Sequence, residues 1–219
     1  MGKFTDKIVV ITGGAQPNSL AMAKKFAQED AKAVVVLCES AESEAQVREQ
    51  GAVCQAMVCN IADFADVTRC FDAIKANIGF VDILVCNPHA TCEKTLLETT
   101  PEDWNRVLGI NVHSLFYCCK QIFADMKARR TGEVILFSSD AAYGTVGNAS
   151  YAITMASALG YNGTCSRECE KYGITCNTVV PTASCTPEDV ANTVALLASE
   201  EGRPLHGQVV KVIKDWTKA

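Results

Sequence analysis

The feature that most constrains the fold is an alternation of short apolar runs with longer segments of helical period along the whole chain. A run such as Ala33–Cys38 has no charged position, which is typical of a strand buried on both faces. Repeated strand-helix-strand units require right-handed crossovers and a parallel sheet with helices on both faces. The sequence therefore predicts an α/β fold with a doubly wound parallel sheet of about seven strands.

The boundaries of the elements follow from the same pattern. Strands are predicted at 8–12, 33–38, 53–58, 83–86, 133–137, 174–180 and 208–212, and helices at 18–30, 41–50, 63–77, 101–128, 150–171 and 187–199. Thr100 and Thr186 each precede Pro-Glu-Asp, which supplies a capping oxygen, a proline at the first helical position and first-turn acids. No linker interrupts the pattern, so residues 1–219 are predicted to form one domain.

Composition excludes several classes of function. With 48% hydrophobic and 21% charged residues, the chain falls in the globular range. Its net charge of −5 gives no electrostatic footprint for nucleic acid. The apolar runs are much shorter than the roughly 20 residues of a membrane span. No targeting segment is visible before the first strand.

Twelve cysteines are present, and most fall in predicted strands and helices, where cysteine acts as a small hydrophobic residue. No Cys-x-x-Cys pair occurs, so the sequence predicts neither a zinc site nor any other metal site. Unpaired structural thiols indicate a reducing compartment, either the cytoplasm or an organelle matrix.

A glycine-rich turn follows the first predicted strand. Ligands of doubly wound sheets bind at the carboxyl ends of the strands. There Thr12-Gly13-Gly14 leads into the first helix, and such a turn can bring backbone N–H groups and the positive helix end onto a pyrophosphate. Gly13 and Gly14 are therefore candidate cofactor-binding residues.

Later motifs, in order and at characteristic spacing, resemble those of the short-chain dehydrogenase/reductase family over nearly the whole chain. The pieces that carry the likeness are Thr12-Gly13, Asp82 to Asn87, Glu102 to Asn111, Ser138-Ser139, Tyr151, and Tyr172 to Asn177 followed by Pro181. The resemblance implies a Rossmann-like fold and hydride transfer between NAD(P) and an alcohol or carbonyl. It also implies a tyrosine as acid/base and a serine that holds the carbonyl oxygen.

The resemblance assigns catalytic positions to Asn111, Tyr151 and one serine. Counting back from Tyr151 selects Ser138, whereas matching the serine pair selects Ser139, and both remain open. Without the resemblance, Tyr151 is a packed aromatic at a helix start, and Asn111 a buried amide that accommodates a helix kink. The cofactor-binding positions that the resemblance implies are Gly13, Gly14, Ser19, Glu39, Asn60 and Asn87.

The chain departs from the family at the residue that activates the tyrosine. A free phenol has a pKa of about 10, so a base near neutral pH needs roughly 4 kcal/mol in favour of phenolate. The family places a lysine four residues after the tyrosine, and here that residue is Met155. A thioether supplies no charge. The next lysine, Lys171, lies roughly 30 Å further along a helix.

The cofactor turn and the substrate loop also differ. Pro17 and Ser19 replace two family glycines, and Pro17 has no N–H. The spacing from Gly13 to Ser19 resembles the turn of the divergent enoyl reductase branch. That branch places its lysine seven residues after the tyrosine, and here that residue is Ala158. Glu39 suits ribose hydroxyls and would repel a 2′-phosphate, which favours NAD(H) over NADP. Only residues 182–186 replace the family's long substrate loop.

Two hypotheses follow. The first is a structural or regulatory subunit that has lost dehydrogenase chemistry, with no cofactor or weakly bound NAD(H). The alternative is an NAD(P)-dependent oxidoreductase that uses Tyr151, with a likeness to hydroxyacyl-CoA dehydrogenases at 143–148 and 176–181. The family also implies a homo-oligomer, or a subunit of a larger assembly, through helices 101–128 and 150–171. The second helix is lined with the small residues Ala152, Ala156, Ala158, Gly160 and Gly163.

Overall fold

The sheet has seven parallel strands, as predicted. In the computed structural model, which describes residues 2–214, these are β1 (Ile8–Ile11), β2 (Ala33–Cys38), β3 (Cys54–Val58), β4 (Ile83–Cys86), β5 (Gly132–Phe137), β6 (Ile174–Pro181) and β7 (Val209–Val212). Their order is β3-β2-β1-β4-β5-β6-β7. The order reverses between β1 and β4, which places a crevice at the carboxyl ends of these two strands.

The helices agree with the sequence pattern in place and differ in detail. They are α1 (Pro17–Gln28), α2 (Glu44–Arg48), α3 (Phe64–Asn77), α4 (Pro101–Leu108), α5 (Ser114–Arg129), α6 (Ala149–Cys169) and α7 (Pro187–Leu197). The predicted helix 101–128 is α4 and α5 joined by a π-helical turn at Gly109–His113. Thr100 and Thr186 both form capping boxes, which confirms the two predicted helix starts.

The two edge strands are not buried on both faces as the central strands are. β3 and β7 have neighbours on one side only, and most of their residues are partly or fully exposed. The predicted helix at 41–50 is also shorter than expected, because Ala41–Ser43 forms a 3₁₀ turn before α2. The last residues of the predicted helix 150–171 form another 3₁₀ turn, Glu170–Tyr172.

The core consists of two layers, one on each face of the sheet. Val10 and Leu84 belong to the layer under α3, α5 and α6, and Val9 and Val85 to the layer under α1 and α7. Alternate residues of a strand point to opposite faces, which explains this division. Within residues 2–214, no helix combines the length and apolar character needed to cross a bilayer.

Cysteine is the unusual component of the first layer. Eight cysteines pack there against aliphatic side chains, and all twelve cysteines of the chain are free thiols. Eleven are buried, and Cys185 is partly buried. Across the described part of the chain, no group of three or more His, Cys, Asp or Glu side chains is placed to hold a metal ion. The thiols therefore act as small core residues.

Charged side chains close the amino-terminal edge of the sheet, opposite the crevice. Asp82 accepts hydrogen bonds from the Ile8 N–H at 2.9 Å and from Arg129 at 2.7 Å. Glu133, only 2% exposed, accepts one from Arg203 at 3.1 Å. Burial raises the pKa of Glu133 to about 7, although Lys7 and Arg203 oppose the rise.

Glu133 should make stability depend on pH. Its folded pKa lies above its usual 4.5, so its favourable contribution is complete below pH 4.5 and is lost as pH rises through about 7. The shift corresponds to a fall in the free energy of unfolding on the order of 3 kcal/mol. Urea unfolding at about pH 5 and about pH 8 should show that Glu133→Gln flattens this dependence.

Glu200→Gln is the matched control, because exposed Glu200 faces the same Arg203 at 3.8 Å. Its pH dependence should stay close to that of the unaltered protein, because burial raises the pKa of Glu133 more than the charge of Glu200 does. Equal pH dependence in the unaltered protein and Glu133→Gln would contradict the assignment.

Candidate functional site

The turn after β1 passes directly against the end of β4. Gly13 has φ +103°, and a Cβ at this position would collide with the Asn87 carbonyl oxygen. Only glycine satisfies both the backbone conformation and the close approach. Gly14 also has a positive φ, and its N–H donates to the Leu37 carbonyl at 3.0 Å. The turn is thus fastened to both neighbouring strands.

A buried hydrogen-bond network joins this turn to α1 and β4. The Ser19 hydroxyl, fully buried, donates to the Thr12 carbonyl at 3.3 Å and accepts from the Asn87 side-chain amide at 3.1 Å. The Asn87 N–H donates to the Thr12 hydroxyl at 3.0 Å. Ser19 and Asn87, both predicted to bind a cofactor, therefore hold the crevice together through side chains that bond each other.

A cleft of about 250 Å³ opens beside this network. Among the predicted cofactor residues, Gly13, Gly14 and Glu39 line it. Asn60 does not line it, and its side-chain oxygen accepts the Ala62 N–H at 3.1 Å. Glu39 is the one carboxylate among the lining residues, which include no lysine or arginine in the described part of the chain. The lining residues are Gly13, Gly14, Ala15, Gln16, Leu37, Glu39, Ser40, Ser43, Cys59, Ile61, His89 and Ile110.

The two candidate serines have different surroundings. The Ser138 hydroxyl is buried and donates to the Met155 carbonyl at 2.8 Å. Ser139 is partly buried, and its hydroxyl accepts the Ala141 N–H at 3.2 Å, where it caps a 3₁₀ turn. Ser138 therefore fixes β5 to α6, and Ser139 is the more accessible hydroxyl.

Asn111 lies in the π-helical turn and bonds to groups outside its own helix. Its side-chain oxygen accepts the Ala90 N–H, and its amide donates to the Ala90 carbonyl, both at 2.8 Å. The same amide donates to the Thr154 hydroxyl at 3.0 Å. The helix does change its winding here, but Asn111 does not bond the carbonyls that the turn frees. It holds the segment after β4 against α6.

Asn111→Ala should destabilise the protein. The Ala90 N–H and carbonyl would lose their partner in a site where Asn111 is 1% exposed. Each unsatisfied buried group costs about 1–3 kcal/mol, so the free energy of unfolding should fall by about 2–4 kcal/mol. Chemical denaturation measures the loss, with exposed Asn105→Ala on α4 as the control. A loss no greater than that of the control would contradict the role.

Tyr151 stands at the start of α6 with its ring roughly perpendicular to that of His89, at 5.7 Å between ring centroids. The ring is partly buried, and its hydroxyl makes no hydrogen bond to residues 2–214. Met155, one turn further on, is 4% exposed. Sequence reasoning missed His89 as a site residue. Its place directly beyond Asn87, at the carboxyl end of β4, was the available signal.

The segment between β6 and α7 is short and fastened down. The Thr182 N–H and hydroxyl donate to the Val212 carbonyl at 3.1 and 2.9 Å, and the Cys185 thiol donates to the same oxygen at 2.8 Å. These bonds tie residues 182–186 to the end of β7. The segment does not line the cleft.

The strand order and the glycine-rich turn at the reversal point define a Rossmann-like fold of the nucleotide-binding class. The family model for short chain dehydrogenases matches residues 7–193, so the chain belongs to that family. It is 28% identical over 237 aligned positions to the 3-oxoacyl-[acyl-carrier-protein] reductase FabG of Escherichia coli (strain K12), covering 95% of this chain and 96% of the relative. The FabG of Staphylococcus aureus (strain Mu50 / ATCC 700699) is also 28% identical, over 236 positions, covering 94% and 96%.

The alignment to the Escherichia coli relative spans 237 positions, more than the 219 residues of this chain. The relative therefore has residues without a counterpart here. The short connection at 182–186 is consistent with such a loss.

The residues of the cleft fit only part of the NAD(P) that the family implies. Glu39 offers a carboxylate to ribose hydroxyls. At the pyrophosphate the Gly14 N–H is already bonded to Leu37 and Pro17 has no N–H, but the Asn18 and Ser19 N–H groups in the first turn of α1 have no partner within residues 2–214. At the nicotinamide end, Met155 stands in place of the lysine that holds the ribose in the family. The site therefore disagrees with the dinucleotide at its nicotinamide end.

Proposed function

We propose that this protein does not catalyse hydride transfer and serves as a structural or regulatory subunit with the fold of the short-chain dehydrogenases. The observation that carries the proposal is Met155, which is buried four residues after Tyr151. A buried thioether offers neither a positive charge nor a useful hydrogen bond. Tyr151 therefore has no cationic partner within reach on its own helix.

The loss matters because general base catalysis requires the right protonation state near the working pH. An adjacent cation favours the charged phenolate, and its removal leaves the phenol protonated. His89 is a neighbour of Tyr151, but its ring lies roughly perpendicular to the Tyr151 ring and makes no hydrogen bond to the Tyr151 hydroxyl. Tyr151 therefore lacks the neighbouring positive charge on which general base catalysis by a phenol depends.

The substrate side supports the same proposal. Catalysis by hydride transfer benefits from a site that excludes water and orients the carbonyl. Residues 182–186 bond to Val212 at the edge of the sheet and leave the carboxyl edge open. A small carbonyl compound would find few fixed contacts there.

A second candidate function is an NAD(P)-dependent oxidoreductase. Tyr151 is retained and Ser139 is partly exposed, so two of the family's reacting groups are present. The relatives are 3-oxoacyl-[acyl-carrier-protein] reductases, which would make a 3-oxoacyl thioester the substrate. This candidate requires a cation or water to replace the missing lysine.

Purified protein should not oxidise NADH or NADPH in the presence of a 3-oxoacyl thioester. The rate, followed by absorbance of the reduced cofactor, should equal that of Tyr151→Phe, and the Escherichia coli relative serves as the positive control. Turnover that Tyr151→Phe abolishes would overturn the proposal. Met155→Lys, with Met155→Leu as its control, then tests whether a restored cation confers turnover.

We propose that the partner of this protein is a second copy of itself, which it contacts through α5 and α6. Phe116 on α5 and Ile153 on α6 are half exposed, although large apolar side chains favour burial. Gly160 and Gly163 lie on the accessible side of α6, where small residues let a second helix approach closely. Ala158 does not belong to this face, because it is 1% exposed and packs in the core.

Gly160→Gln should separate assembly from stability. Nothing in the described chain lies within 4 Å of a Cβ at Gly160, so the substitution fits the single chain. Replacing a mid-helix glycine should raise stability by about 0.5–1 kcal/mol, whereas a bulky side chain should weaken a close helix contact. Light scattering after gel filtration measures the mass, with Asn192→Gln, an exposed position of α7 on the other side of the sheet, as the control. An unchanged oligomer mass, or a monomer in the unaltered protein, would contradict this interface.

The twelve free thiols support a reducing compartment, either the cytoplasm or an organelle matrix.

A further inference from the structure

We infer that the buried Glu133–Arg203 pair is a pH-sensitive switch, which keeps the α7–β7 connection (198–208) closed over the amino-terminal edge of the sheet in acid and opens it as the pH rises past neutral. The inference goes beyond the proposed function, because it concerns the edge opposite the crevice and is independent of hydride transfer. It rests on the bonds of the connection, on an oxygen of Glu133 that has no partner, and on the charges around that side chain.

The α7–β7 connection is fastened to β5 and β6 by side chains. The Arg203 guanidinium donates to Glu133 Oε1 at 3.1 Å and to the Gly173 carbonyl at 2.9 Å. Asn177 on β6 donates to one backbone carbonyl of the connection at 2.7 Å and accepts one of its N–H groups at 2.9 Å. Arg203 therefore links the connection to the start of β5.

Glu133 is buried with only one of its two oxygens bonded. The residue is 2% exposed, and its Oε2 makes no hydrogen bond within residues 2–214. An ionised carboxylate shares its charge between both oxygens, so the closed site would leave part of that charge buried without a partner. Such a charge is costly, whereas a neutral carboxyl avoids the cost. The closed connection therefore favours the protonated form of Glu133.

The charged groups that face Glu133 come from several elements and oppose one another. Lys7, in front of β1, and Arg203 favour the ionised form, whereas Asp82, in front of β4, and Glu200, at the start of the 3₁₀ turn after α7, disfavour it. Burial has the largest effect, and the pKa of Glu133 rises from its usual 4.5 to about 7. The group therefore changes its charge near neutral pH.

Opening of the connection would relieve the buried charge. The Arg203 side chain is 31% exposed, so the part of the connection that covers Glu133 already reaches solvent. Once the connection moves away, water can bond both oxygens and the pKa of Glu133 returns towards 4.5. Because the closed form has the higher pKa, it is favoured at low pH and loses that advantage as the pH rises through about 7. Ionisation of Glu133 consequently favours the open form.

The effect of opening would reach the other edge of the sheet through β7. The connection runs directly into β7, which pairs with β6 alone. At its far end, the Val212 carbonyl accepts the bonds from Thr182 and Cys185. The switch therefore makes the surface formed by β7 and residues 182–186 depend on pH.

Hydrogen–deuterium exchange of the full chain, followed by mass spectrometry at about pH 6 and about pH 8, tests the inference. Comparison with Glu133→Gln at the same pH removes the intrinsic effect of pH on amide exchange. Relative to this variant, exchange within residues 198–212 of the unaltered protein should rise about tenfold between the two pH values, as expected for a pKa of about 7 when closed and 4.5 when open. Amides of α3 should show no such rise.

Two further variants locate the effect. Glu200→Gln is the matched control, because exposed Glu200 faces the same Arg203 at 3.8 Å, and it should retain most of the rise. Arg203→Gln should exchange faster than the unaltered protein within residues 198–212 already at about pH 6, because both Glu133 and the Gly173 carbonyl lose their donor. This variant keeps the test decisive if Glu133→Gln folds poorly.

Three results would overturn the switch. The first is the same rise in Glu133→Gln as in the unaltered protein, and the second is a rise shared equally by α3, which would mean that the whole chain opens. The third is exchange in Arg203→Gln at about pH 6 equal to that of the unaltered protein. None of them bears on hydride transfer, which the turnover assay tests separately.

Discussion

The crevice depends on the close contact between the turn after β1 and the end of β4. Gly13 allows the two backbones to approach, and Thr12, Ser19 and Asn87 then bond across the point where the strand order reverses. Because these groups are buried, each would leave an unpaired polar atom if its partner were removed. The geometry of the nucleotide-binding fold is thereby retained by contacts within the chain itself. It does not require phosphate to hold the turn in place.

The fold was predictable because its signals are local. Unbroken apolar runs mark strands covered on both faces, and the Thr-Pro-Glu-Asp sequences mark helix starts, so the pattern predicted both kinds of element. The strands that are not covered on both faces have a physical cause, which is their position in the sheet. β3 and β7 lie at the edges of the sheet and are partly exposed, and each contains a polar residue, Gln55 and Lys211, but hydropathy does not reveal the strand order that places them there.

The site was predictable only in part. Gly13, Gly14 and Glu39 line the cleft as the sequence indicated, but Ser19, Asn60 and Asn87 use their polar groups in internal bonds. A sequence names a polar residue without naming its hydrogen-bond partner, and that partner determines whether the group is free for a ligand. The sequence did not decide between Ser138 and Ser139 for the same reason. Spacing left both open, and the bond from Ser138 to Met155 distinguishes them.

The connection at residues 182–186 has a consequence for engineering. Thr182 and Cys185, near its two ends, are held by bonds that converge on the Val212 carbonyl, and Thr186 caps α7. Extra residues inserted between anchored ends lengthen a surface loop, and the entropic cost grows only slowly with length. This point of the chain is thus a natural graft position, at which a longer segment from a relative can be added while the sheet, the two core layers and the crevice keep their present form.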